Sequence, residues 1–163
     1  MVILRKISNS IDITNNFIGR IFLWAIVPMT ILPVIEIIMR RFLGSPTIWS
    51  FEVITQIYGA YFMMVAAYGL LFKSHVSIDI FTSKISKKKQ GFLEIVGYAV
   101  FFFPFVIICL WKSFLYALES WQMMETSWSA FAPPLYPIKT VMFVAFLLLL
   151  MQGISEIIKK YTS

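Results

Sequence analysis

The sequence predicts an all-α membrane protein with four transmembrane helices. Of its 163 residues, 60% are hydrophobic and only 13% are charged, whereas a soluble domain carries roughly 25% charged residues. A chain of this size cannot bury so many apolar side chains in water, because a small fold leaves much of its surface exposed. The composition therefore excludes a soluble enzyme, a disordered chain and a nucleic-acid-binding domain. The lone Cys109 also excludes a disulfide-stapled secreted module.

Four long apolar runs define the predicted spans. A helix needs about 20 apolar residues to cross a hydrocarbon core of about 30 Å. Val53–Phe72 is 20 residues long without a charge, and Ile21–Met39 is 19 residues long with only Glu36. The two later runs reach the required length if Lys112 and Glu156 extend toward the membrane interface. We therefore expect one domain of residues 1–163 with spans at about 18–40, 50–72, 92–118 and 138–158.

The basic residues predict the orientation of these spans. With four spans, the N-terminal arm, the middle loop and the C-terminal tail lie on one side and hold ten Lys and Arg residues, against four on the other. Cytoplasmic segments carry the excess of basic residues, so both termini are expected in the cytoplasm. The net charge of +6 is then mainly a topology signal, and no nucleic-acid partner is expected from the run Lys87–Lys89.

Two cytoplasmic segments, at about 3–16 and 77–89, have the pattern of helices that lie on the membrane surface. The first has apolar residues at helical spacing, and in the second Ile78, Phe81 and Ile85 share one face beside several lysines. Anionic lipid attracts such lysines with about 1 kcal/mol each, so membrane lipids are predicted partners. On the opposite side of the membrane an aromatic belt is expected from Trp121, Trp128, Phe131 and Tyr136.

Residues suited to catalysis or to a cofactor are scarce. His75 is the only histidine and Cys109 the only cysteine, which argues against axial haem ligation, thiol–disulfide exchange and a zinc site. His75 and Asp79, four residues apart, supply at most two metal ligands and better suit an orienting hydrogen-bonded pair or a helix start. We therefore expect no enzyme activity, no cofactor and no metal.

Transport by this chain alone is an alternative, because Glu36 is an ionisable group within a span. A small four-helix exporter can exchange protons against its substrate at one such carboxylate. Arg40, however, follows one turn later, and an i,i+4 ion pair explains Glu36 more simply. Small residues in the second span permit close helix approach, either within the bundle or to a partner; they are Gly59, Ala60, Ala66, Ala67 and Gly69.

An ordered set of short motifs runs along the chain from about residue 20 to residue 160. The motifs are Arg40/Arg41-Phe42, Gly44-Ser45-Pro46, Trp49-Ser50-x-Glu52, His75-Val76-x-x-Asp79, Pro134 to Lys139 and Gln152-Gly153 with Glu156. This set resembles the small membrane subunit, of the DctQ type, of tripartite ATP-independent periplasmic (TRAP) transporters. Two departures are the doubled arginine before Phe42 and Pro134-Leu135-Tyr136, where many members have Trp.

This resemblance implies a bacterial inner-membrane subunit without a solute site of its own. A large membrane subunit would move the solute, in this family often an organic acid, with a sodium gradient, after a periplasmic solute-binding protein delivers it. The small subunit would act as a scaffold. In this picture Glu52 pairs with Arg40 or Arg41, and Trp49 anchors the depth of its helix. His75 and Asp79 fix the turn into the surface helix, and the Arg40–Pro46 and Trp121–Pro137 segments, including Pro134 and Pro137, are candidate contacts for the binding protein.

Overall fold

A computed structural model describes residues 2–72, 93 and 95–162, and the long segments within these ranges are helical, with no β-strand among them. The predicted all-α class is therefore confirmed. Four helical stretches are long and apolar enough to cross a membrane: Ile3–Phe42, Ser50–Leu71, Ile95–Gln122 and Tyr136–Lys160. The predicted surface segment 77–89 lies outside the described residues. The helices are α1 (Val2–Leu23), α2 (Ile26–Phe42), α3 (Ser50–Leu71), α4 (Phe103–Gln122) and α5 (Tyr136–Thr162), with a π-helical turn at Tyr98–Phe102.

Prolines account for the irregular points in these helices. α1 ends and α2 begins around Trp24 and Ala25, where Ala25 N–H bonds only three residues back to the Phe22 carbonyl at 3.0 Å. Pro28 has no N–H for the Trp24 carbonyl and its ring crowds that group, so the regular ladder breaks there. Pro104 likewise lacks an N–H and interrupts the regular hydrogen bonding of its helix. Directly before it, the Phe103 N–H bonds five residues back to the Tyr98 carbonyl, as in a π-helix.

α5 is the central helix of the fold. It packs against α1, α3 and α4, whereas α2 packs mainly on α3. The buried share of the most apolar stretch differs between the spans: it is 28% in the span formed by α5 and zero in the span formed by α1 and α2. The core is accordingly small and joins α3 to α5 through Met64, Ala67, Ala145 and Leu148. The helices therefore form an open array, with α2 at one edge and α4 at the other.

Two glycines allow the closest helix contacts. A Cβ on Gly19 would lie 2.2 Å from the Tyr68 ring, and one on Gly153 would lie 2.2 Å from the Phe102 ring. Of the small residues predicted to permit close approach in the second span, Ala67 is in the core. A Cβ on Gly59 would make only ordinary contacts, the nearest at 3.9 Å. The tight packing of aromatic rings on bare backbone thus lies in α1 and α5.

The two ends of the array differ. We call the end with the 43–49 and 123–135 loops the hairpin end, and the end with the start of α1 and the end of α5 the terminal end. At the terminal end, α1 turns its polar face inward: Ser8 and Asn15 are buried, while Ile3 and Phe17 are exposed. The predicted surface segment 3–16 is thus part of a longer helix that packs against α3 and α5. Most of its large apolar side chains face outward, although Ile11 is buried.

Candidate functional site

Glu36 links α2 to the following loop at the hairpin end. Its Oε1 accepts a hydrogen bond from Arg40 at 3.1 Å, which is the i,i+4 pair favoured by the sequence. Its Oε2 accepts hydrogen bonds from the Thr47 amide at 3.3 Å and from the Thr47 hydroxyl. The Glu36 side chain is only 14% exposed, against 70% for Arg40. Oε2 thus holds the loop against the end of α2, while Oε1 pairs with Arg40 within the helix.

Glu52 does not form the predicted ion pair with Arg40 or Arg41. Instead, its Oε1 accepts a hydrogen bond from the Ser127 hydroxyl at 3.4 Å, and its buried Oε2 has no hydrogen-bond partner among the described residues. The physical reason is that Glu36 lies one turn from Arg40 on the same helix and occupies its guanidinium group. Glu52 therefore joins α3 to the 123–135 loop and not to α2.

The remaining residues predicted from the sequence lie at the ends of helices or in the 123–135 loop, where the structure describes them. Trp49 directly precedes α3 and is 39% exposed. The Pro134 carbonyl accepts a hydrogen bond from the Gln56 amide at 3.3 Å, which ties the 123–135 loop to α3. Pro137 is the second residue of α5, where the absence of an N–H breaks no helical bond. His75 and Asp79 lie outside the described residues, so their roles stay predictions.

Lys139 and Glu125 form an ion pair that sequence reasoning missed. The Lys139 ammonium is buried and lies 3.6 Å from the centroid of the Tyr116 ring, an arrangement that adds a cation–π attraction. The hydrogen bond from Lys139, with a smaller contribution from Ser120, lowers the pKa of Glu125 below its usual value. This pair joins the start of α5 to the loop and to α4. No local signal reveals it, because 14 residues separate the partners.

The 123–135 loop has an ordered backbone. Ser127 N–H bonds to the Pro133 carbonyl and Leu135 N–H to the Glu125 carbonyl, both at 2.9 Å. At the base of the loop, the indole N–H of Trp121 donates to Thr140 at 2.8 Å. These bonds hold the tip of the loop, where the Trp128 side chain is fully exposed. The loop therefore presents a large aromatic group on a fixed support.

A polar network joins α1 to α5 at the terminal end. Gln152 is fully buried and uses its whole amide: Oε1 accepts from Asn15 at 2.7 Å, and Nε2 donates to Asp12 at 3.0 Å and to Glu156 at 3.2 Å. Lys159 then pairs with Asp12 at 2.7 Å and with Glu156 at 2.6 Å. The network therefore neutralises its own charges in part and fixes the register of the two helices.

Two serines extend the same network. The Ser8 and Ser155 hydroxyls lie 2.7 Å apart, and Ser155 also donates to Asp12 at 2.8 Å. A pattern in the sequence is consistent with this contact between α1 and α5. Polar residues recur at 8, 12 and 15 in α1 and at 152, 155, 156 and 159 in α5, a spacing that places each set on one helix face.

Among the described ranges, no three histidine, cysteine or acidic side chains come together in a way that could hold a metal ion. The polar groups of both ends instead pair with one another across helices and loops. Fold and site thus define a multi-pass helical membrane protein in which several polar side chains join one structural element to another.

The family model for the DctQ component of tripartite ATP-independent periplasmic transporters matches residues 29–163. The chain belongs to this family and is the small membrane component of a TRAP transporter. The resemblance seen in the sequence is therefore confirmed. No curated protein matches the chain. Membership in this family and the spanning helices together make it a multi-pass inner-membrane protein.

Proposed function

We propose that this chain is a non-catalytic scaffold that holds the large membrane subunit of a sodium-coupled TRAP transporter in place. The solute would be a small organic acid delivered by a periplasmic binding protein, and both termini would lie in the cytoplasm. The observation that carries the proposal is the use of polar side chains: Glu36, Lys139 and Gln152 each hold one structural element against another. Such contacts favour a rigid support over a moving solute path.

The alternative, an autonomous exporter that exchanges protons at Glu36, needs a carboxylate that is free to bind and release a proton during the cycle. Glu36 instead accepts hydrogen bonds from Arg40 and from both the amide and the hydroxyl of Thr47. Protonation would weaken each of these bonds, because all three donors favour the charged carboxylate. The contacts therefore support a structural role for Glu36.

The test is purification of the chain from its native host in a mild detergent, followed by reconstitution into liposomes. The scaffold proposal predicts a co-purifying membrane protein of greater size, and sodium-dependent uptake only when that protein and a periplasmic binding protein are both present. Proton-driven transport by this chain alone, abolished by Glu36→Gln, would instead establish the exporter function.

A further inference from the structure

Two charged residues on α4 have no partner within the described chain. Lys112 and Glu119 are exposed, and neither side chain has an ion pair or hydrogen bond among the described residues. Seven residues separate them, so they lie on the same side of the helix. Lys112 is ten residues before the last residue of α4, which corresponds to about 15 Å of helix rise, or half of a hydrocarbon core of about 30 Å.

Both residues border a groove between α4 and α5. The groove has a volume of about 550 Å³, and its apolar wall includes Leu115, Met142 and Phe146. Ionisable side chains inside a membrane are rare, and almost always face protein or a water-filled cavity. An apolar groove with one cation and one anion on its border therefore has the character of a contact surface for another polypeptide.

The opposite edge of the array gives a contrast. α2 is more exposed than α4, since none of its residues is buried, whereas α4 has four buried residues. Its intramembrane carboxylate, Glu36, is nevertheless satisfied by Arg40 and Thr47 within the same hairpin. α2 thus leaves no unsatisfied charge deep in its span, whereas α4 leaves Lys112 there and Glu119 closer to its end. Lipid alone suits the exposed side of α2 better than that of α4.

We propose that the α4 face with Lys112 and Glu119, together with the adjoining groove, is the surface that binds the large membrane subunit. That subunit would present an acidic side chain to Lys112, a basic or hydrogen-bond-donating side chain to Glu119, and an apolar side chain to the groove. This inference rests on the proposed function, because it requires a large membrane partner.

The first test is photocrosslinking in native membranes from the complete complex. The photoreactive residue p-benzoylphenylalanine replaces either Leu115 in the groove or Val34 on α2, which is also exposed. We expect the adduct with the large subunit from position 115 and lipid adducts only from position 34. Protein adducts from position 34 alone, or only lipid adducts from position 115 in an intact complex, would overturn the proposal.

The second test removes one charge at a time and measures association with the large subunit. Lys112→Gln and Glu119→Gln should each weaken association by about tenfold, since each leaves a partner charge unpaired in the interface. Lys112→Arg should retain association, and Arg20→Gln, which removes an exposed cation from α1, is the matched control. The yield and helical content of the isolated chain show whether each variant folds. If the unmodified chain recovers no larger membrane protein, the proposed function fails; if it does and the α4 variants bind normally, only this inference fails.

Discussion

Replacement of Gln152 by leucine tests the polar network at the terminal end most directly. Leucine is similar in size but offers no hydrogen bond, so Asn15, Asp12 and Glu156 each lose a partner. Hydrogen bonds between membrane helices contribute about 0.6 kcal/mol on average and up to about 1.7 kcal/mol. Three lost bonds, two of them to carboxylates, therefore imply a destabilisation of roughly 2–4 kcal/mol.

The assay uses the purified chain in a mild detergent. Increasing amounts of sodium dodecyl sulfate unfold it, and circular dichroism monitors the loss of helix. A double-mutant cycle with Asn15→Ala and Gln152→Ala isolates the bond between these two side chains, and we expect a coupling of about 0.6–1.7 kcal/mol. Ile154→Ala is a control on α5, because this exposed side chain lies outside the network. A Gln152→Leu protein as stable as the original, with no coupling to Asn15, would refute the assignment.

Three further results are expected. Gly153→Ala should destabilise the fold, because its Cβ would lie 2.2 Å from an aromatic ring, whereas Gly59→Ala should have little effect; thermal denaturation in detergent compares the two. The pKa of Glu125 is lowered from its usual 4.5 in the folded chain. Its ion pair with Lys139 therefore stabilises the fold fully above about pH 4.5, and this stabilisation is lost as the pH falls through the lowered pKa of the folded state. The stability difference between Lys139→Met and the original chain should therefore shrink on acidification. Thr47→Val should loosen the loop after α2, measured as faster amide hydrogen exchange there.

The four spans were predictable because length and hydropathy are local properties of the sequence. The helix boundaries were less so: the predicted span 18–40 contains the break at Trp24 and Ala25, which follows from the missing N–H of Pro28. A proline within an apolar run permits either a continuous or a broken helix in a membrane, since neighbouring groups can satisfy the freed carbonyl. The choice between these outcomes depends on packing that the sequence alone does not state.

The polar contacts were harder to predict, because most of them join residues far apart in the chain. The family resemblance suggested that Glu52 pairs with an arginine across the first hairpin, yet Arg40 pairs with Glu36 on its own helix. Asn15 and Gln152 are 137 residues apart, and each looks like an isolated polar residue in its own helix. Only the juxtaposition of α1 and α5 gives them a common role.

The position of α5 explains why these contacts matter for a support. Lys139 fixes its first turn to the 123–135 loop, and Gln152 and Lys159 fix its last turns to α1. Individual hydrogen bonds within a membrane are weak, so a helix held at one end can still tilt about that end. A helix held at both ends cannot tilt without breaking bonds at one of them. The groove between α4 and α5 therefore lies against a helix that is held at both ends, as the proposed contact surface for the large subunit would require.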